Sequence, residues 1–190
     1  FARAKEHMAA QGWPVVLRRS GGTAVPQGPG MLNVTWMTDP GEGPSGLRRD
    51  YERFVDVLIK GLTPLTLNLS IGANPGSWCD GDFNLQCDGL KVGGTAQRRA
   101  GSRVMCQLAL AVSMPNTNLV DAVNAFYEAA GSEFRAEPTA STCLQAQADR
   151  HATQLDLATL VGSLTVNLGK HEPHMRYRSM GLNGVIEGRV

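Results

Sequence analysis

Cys79, Lys91 and the glycine pairs Gly21-Gly22 and Gly93-Gly94 offer a nucleophilic thiol, a cation and backbone that can approach a ligand closely. A thiolate can take an acyl group as a thioester. A free thiol titrates at roughly 8.5, so a nearby cation such as Lys91 would help ionise Cys79, while Asp80 and Asp82 would oppose this if they faced the sulfur. No histidine is close in sequence, so a cysteine–histidine pair would have to draw on His7, His151, His171 or His174. Lys91, followed by Gly93-Gly94-Thr95-Ala96, places a cation at the edge of a small-residue surface that an acyl chain and its carbonyl can share. In Arg18-Arg19-Ser20-Gly21-Gly22-Thr23, consecutive glycines let backbone N–H groups approach a ligand, with Arg19 or Ser20 adding a charge or hydroxyl. Each feature also has a plainer reading: a glycine turn, a solvated strand lysine, a structural loop cysteine.

The elements that must hold these residues follow from periodicity. Trp13 to Arg19 reads as a strand after a helix stopped by Gly12, and Met31 to Trp36 as another, with Leu32, Val34 and Trp36 on one face. Leu47, Tyr51, Phe54, Leu58 and Leu62 give an amphipathic helix over 46–62 that Thr63-Pro64 ends. Residues 65–71 alternate as a half-buried strand. Phe83, Leu85 and Cys87 lead into a hairpin turn at Asp88-Gly89, and the return strand carries Lys91. A strand over 104–112 and helices near 118–130 and 151–168 complete the pattern. Hairpins without regular crossovers favour an α+β domain, a mixed β-sheet flanked by helices, over a doubly wound one. Residues 1–170 are expected to form one domain and 171–190 a polar tail. The chain opens on Phe1 within a helical pattern, which leaves a preceding segment open.

At 190 residues, 42% hydrophobic and 18% charged, the chain can bury one continuous core. A net charge of +1 provides no broad basic field for nucleic acid or an anionic membrane. No run of apolar residues is long enough to span a bilayer, and the N-terminus lacks the apolar stretch of a secretory signal, so a cytoplasmic protein is expected. Cys87 and Cys106 fall on the apolar phase of their strands and read as small buried hydrophobes. No pair of cysteines has zinc-ligand spacing, and His171 and His174 have no thiolate companion, so no metal is expected.

RRSGGTAVPQGPGMLN resembles the Arg-Arg-x-Ser-Gly-Gly-Gly-Ala-Val stretch, with its downstream Asn, of the lipoate-protein ligase and octanoyltransferase family. GLKVGGTAQRR is similar to that family's Gly-Arg-Lys-Ile-x-Gly-x-Ala-Gln stretch, and LVDAVNAFYEAAG to its post-core helix. The resemblance covers roughly residues 12–130, with two linked motifs in family order. It implies the biotin/lipoate protein ligase fold, with an acyl tunnel between the glycine loop and the lysine strand. By carry-over Lys91 contacts the acyl carbonyl, and Arg19, Ser20, Gly21, Gly22, Thr23, Asn33, Gly94, Thr95 and Ala96 bind substrate.

Three departures weaken the case for ATP-dependent activation: Thr23 replaces a third glycine, Pro26-Gln27 stands where many ligases carry His-Asp, and Gln107 stands where histidine is frequent. Gly-Ser-Trp-Cys-Asp-Gly around Cys79 resembles the Gly-Ser-Tyr-Cys-Pro-Gly loop of the amidotransferase branch, which moves octanoyl from the glycine cleavage H protein onto other lipoyl domains. The resemblance therefore implies an acyltransferase working through a Cys79 thioester without a cofactor. Its partners would be the H protein and the lipoyl domains of 2-oxoacid dehydrogenases. The alternatives are a lipoate-protein ligase using ATP and Mg, and a non-catalytic module that binds an acyl group or carrier protein.

Overall fold

The computed structural model describes residues 1–38, 46–101, 103–171, 176–181 and 184–189, excepting the side chains of Ala100 and of 171–189. Helix α1 (Ala2–Ala10) is followed by a long loop, strand β1 (Met31–Thr38), helix α2 (Leu47–Leu62) and strand β2 (Leu69–Gly72). Strands β3 (Asn84–Cys87), β4 (Leu90–Ala100) and β5 (Arg103–Ala111) form a meander, and helices α3 (Asn116–Ala129), α4 (Leu144–Arg150) and α5 (Leu157–His171) follow. The sheet order is β1-β5-β4-β3-β2, with every strand pair antiparallel. A single parallel bridge joins Lys91 to Ser141.

Alternation along the strands divides the sheet into two faces. Leu32 and Trp36 of β1, Cys106, Leu108 and Leu110 of β5, and Leu85 and Cys87 of β3 meet Phe54, Val57, Leu58 and Leu62 of α2 and Leu160 and Leu164 of α5 in the main core. A second cluster on the other side joins Trp78, Cys79, Ala111 and Met114 to Leu119, Val120 and Val123 of α3, with Cys143. Between β3 and β4 the turn places Asp88 at φ 49° and Gly89 at φ 77°, the paired positive φ of a type I′ hairpin.

β4 contains the irregularity that matters most for the site. Leu85 pairs with Gly93 but Gln86 pairs with Lys91, so Val92 is an extra residue, a β-bulge. Gly93 faces the core, where an added Cβ would meet Leu108 and Leu110. Strict alternation would send Lys91 to that same face. The bulge reverses the pair: Val92 joins the core cluster, and Lys91 turns to the opposite side against Trp78.

Several expected elements differ. Residues 13–19 form no strand: Pro14 lacks an amide donor, and Val16 and Leu17 are both exposed, so burial does not alternate. The strand expected from 65 begins only at Leu69, because Thr63-Pro64-Leu65 closes a 3-10 turn and Thr66 is left-handed at φ 53°. The helix expected over 151–168 begins only at Leu157: α4 ends at Arg150, and residues 151–156, with left-handed Ala152, are not helical. Asp156 accepts the Thr159 N–H at the start of α5, which continues through Gly169 to His171. The expected C-terminal tail includes strands β6 (Arg176–Gly181) and β7 (Gly184–Arg189), paired antiparallel; His174 lies outside the described residues.

Candidate active site

A cavity of about 280 Å³ lies on the sheet face away from α2 and α5. Its floor follows from the strand register. Asn33, Ala109 and Gly94 form one cross-strand row, and Thr35, Gln107 and Ala96 the next. Small side chains at 94, 96 and 109 leave the space that larger residues would fill. The loop between α1 and β1 provides the rest of the wall through Val16, Arg18, Ser20, Val25 and Gln27, and Cys79 closes the lining. Ser20 Oγ is buried in that wall without a hydrogen-bond partner, which suits contact with a bound polar group. Asn33 donates to Gln27 Oε1 at 2.7 Å, and Gln107 donates to Thr35 Oγ1 at 3.4 Å, so the β1 side of the cavity is polar.

Cys79 sits in a loop that runs from β2 to β3. It is 7% exposed and left-handed, at φ 48°. Its Sγ accepts the Thr23 N–H at 3.3 Å, and Arg18 Nη2 points to it at 3.9 Å. Arg18 is itself fixed by donating to Gly21 O at 2.9 Å, and the Ala24 N–H donates to Tyr127 OH on α3 at 3.3 Å. Gly22, at φ 93°, is packed so tightly that an added Cβ would lie 3.0 Å from Cys79 Sγ and 2.7 Å from Arg18 Nη2. The glycine loop therefore wraps the sulfur with a backbone N–H and a guanidinium donor. Asp80 Oδ1 accepts from the Asn74 N–H, the Gly81 N–H and Asn84 Nδ2 at 2.8–3.0 Å.

Lys91 differs from its expected setting at a solvated strand edge. It is fully buried, on a strand inside the sheet. Its Nζ donates to Trp78 O and, at 2.6 Å, to Cys79 O, and lies 4.1 Å from the Trp78 ring centroid. Burial lowers its pKa to about 8, against the opposing pull of Cys79 and Asp80. It is not among the cavity-lining residues.

The structure thus brings together Cys79, Ser20, Gly22, Thr23, Asn33, Gly94, Thr95 and Ala96. Gly21 lies alongside, where an added Cβ would be 4.0 Å from Gln97 O. Thr95 takes part without its hydroxyl, which donates to Phe83 O. Arg19 is exposed and outside the cavity wall, and the neighbouring Arg18 takes the position expected of it. Neither His7, bonded to Gln11, nor His151, 2.5 Å from Asp88, pairs with Cys79. Arg18, Gln27, Thr35, Gln107 and Ala109 were not singled out as ligand contacts from sequence; for the last three, strand alternation opposite the core residues is the signal that finds them.

The profile of the lipoyl protein ligase A/B catalytic domain family matches residues 2–161. The chain belongs to that family. An octanoyl-GcvH:protein N-octanoyltransferase of Bacillus velezensis is 28% identical over 120 residues, 63% of this chain and 42% of that protein. A lipoyl-GcvH:protein N-lipoyltransferase of Listeria monocytogenes is 29% identical over 121 residues, 64% of this chain and 44% of that one. An uncharacterized Cupriavidus necator protein is 42% identical over 105 residues, 51% of this chain and 41% of its own length. The matches span less than half the length of these relatives. In fold, the chain is similar to a lipoate-protein ligase A bound with ATP, with a TM-score of 0.66 at 13% identity over 87% of this chain and 61% of the other. It is likewise similar to a putative lipoate protein ligase from T. acidophilum with bound lipoic acid, with a TM-score of 0.67 at 14% identity and the same coverage. The α+β expectation and the family resemblance agree with these findings. No helix among the described residues is long and apolar enough to cross a membrane.

Proposed function

We propose that this domain transfers an octanoyl or lipoyl group from one carrier-protein lysine to another through a thioester on Cys79. The observation that carries this reading is the position of Cys79 Sγ: in the cavity wall, against the Thr23 N–H and Arg18, beside a floor of small residues. The sulfur attacks the carbonyl carbon of the acyl-lysine amide. The C–N bond breaks, and the donor lysine leaves as an amine with the proton given up by the thiol. The acceptor lysine then attacks the thioester, the C–S bond breaks, and the thiol regains a proton. No net redox change or phosphate chemistry is required, so the reading needs neither ATP nor Mg. A cavity of about 280 Å³, just below the roughly 300–1,000 Å³ of typical ligand sites, has room for a single acyl chain. The names of the curated relatives support the glycine cleavage H protein as donor, and lipoyl domains of 2-oxoacid dehydrogenases are the acceptors proposed here.

The test is incubation with octanoylated H protein and a lipoyl-domain acceptor, with and without ATP, followed by intact mass. The expected result is an ATP-independent, hydroxylamine-sensitive octanoyl adduct on Cys79 and its loss in Cys79→Ser, because serine has no comparable anion near neutral pH. ATP-dependent modification by Cys79→Ser with free octanoate would establish a ligase instead. Acyl binding with neither outcome would establish a non-catalytic module.

A further inference from the structure

We infer that Lys91 is a positioning residue that aims the Cys79 sulfur by fixing the two peptide planes on either side of it, rather than a contact for the acyl carbonyl. This rests on Cys79 being the reactive group. Trp78 O belongs to the peptide unit entering Cys79 and Cys79 O to the unit leaving it. One ammonium bonds both. The φ and ψ of a residue are the rotations that relate these two planes, so holding both oxygens on one nitrogen fixes the backbone of Cys79 and the direction of its Cβ, from which Sγ meets the Thr23 N–H and Arg18. That backbone is in the left-handed region at φ 48°, a conformation that persists in a non-glycine residue only where its surroundings enforce it.

The rest of the environment serves the same grip. The Trp78 ring lies 4.1 Å from Nζ and covers the ammonium, so two carbonyls and an aromatic face satisfy a charge with no exposure to solvent. Gly94 leaves room for this arrangement, since an added Cβ would meet Trp78 at 3.2 Å and Lys91 Nζ at 3.3 Å. The bulge at Val92 turns Lys91 toward the loop instead of the core.

Two measurements separate positioning from carbonyl contact, the thiosulfonate rate at Cys79 and an octanamide titration; these two readouts need no acyl transfer, so both stand if the thioester reading fails. Methyl methanethiosulfonate reacts with a thiol and has no acyl carbonyl. In folded Lys91→Met, positioning predicts that its reaction at Cys79 slows by about tenfold, the scale of losing a buried hydrogen-bond partner. Acyl-enzyme formation should slow by a similar factor, with the KM for octanoylated H protein within about twofold of wild type. Unchanged thiosulfonate reactivity at Cys79 would overturn the inference. The second measurement uses the wild-type chain and covers a Lys91→Met variant that does not fold. When octanamide saturates the cavity, the amide resonances of Ala96 and Ala109 should move and the Lys91 Nζ resonance should not. A shift of the Nζ resonance would overturn the positioning role.

Discussion

The sulfur of Cys79 is defined by what touches it, and Gly22 shows how closely that environment is built. A side chain at position 22 would sit 3.0 Å from Sγ and 2.7 Å from the Arg18 guanidinium, and it would have to adopt φ 93°. Gly22→Val should therefore push the loop away from Cys79, removing the Thr23 N–H and Arg18 from the sulfur, and cost about 1–3 kcal/mol in strain. The expected outcome is a large loss of acyl-enzyme formation with a modest fall in unfolding midpoint in urea. Normal acyl-enzyme formation with only the midpoint lowered would leave the glycine pair a turn and nothing more. The sequence suggested that Gly22 makes room for substrate. In the structure it makes room for protein, because the close approach is between two loops 57 residues apart in sequence.

The elements explain which parts of the site could be read in advance. β1, α2, the β3–β4 hairpin and β5 came from local periodicity, which survives because each buries one face against the same core. Lys91 escaped that logic since its direction depends on one extra residue at Val92, and a bulge leaves no mark in an alternating pattern. The failed strand at 13–19 has another cause: Pro14 lacks an amide donor and the consecutive apolar residues Val15, Val16 and Leu17 do not alternate, so the segment is irregular backbone that lines the cavity through Val16 and Arg18. Between β2 and β3 the loop bearing Cys79 holds its shape through Asp80, whose Oδ1 gathers Asn74, Gly81 and Asn84. Asp80→Ala should leave the sheet intact yet slow acyl transfer by roughly ten- to a hundredfold through misplacement of the sulfur. Asp80→Asn keeps an acceptor oxygen at the same point and should restore most of that rate. Equal defects in both variants, measured as acyl-enzyme formation, would mean that the charge rather than the loop geometry matters.

For the molecule as a whole, buried groups with shifted pKa values set opposing slopes of stability against pH, Lys91 on one side and the Cys87 and Cys106 thiols on the other. Burial lowers the Lys91 pKa to about 8, so between about pH 8 and its ordinary 10.5 the unfolded chain binds more protons at this site, and stability rises with pH. Burial, aided by Asp88, raises the Cys87 thiol to about 11; burial likewise raises Cys106 to about 11, opposed chiefly by its hydrogen bond with Gln97. From the ordinary thiol value of 9.0 up to about 11, the folded chain holds the cysteine protons that the unfolded chain releases, so each thiol lowers stability as pH rises. Below about pH 9 Lys91 acts against little from the thiols; above it, two thiols oppose one lysine. The unfolding midpoint in urea should therefore rise slightly from pH 8 toward 9 and then fall toward 11. Replacing both Cys87 and Cys106 with alanine should lower the midpoint at every pH, through lost packing, but flatten the fall above pH 9. In Lys91→Met the early rise should vanish and the later fall steepen. A double-cysteine variant whose midpoint falls above pH 9 as steeply as wild type would show that groups other than these thiols govern alkaline stability.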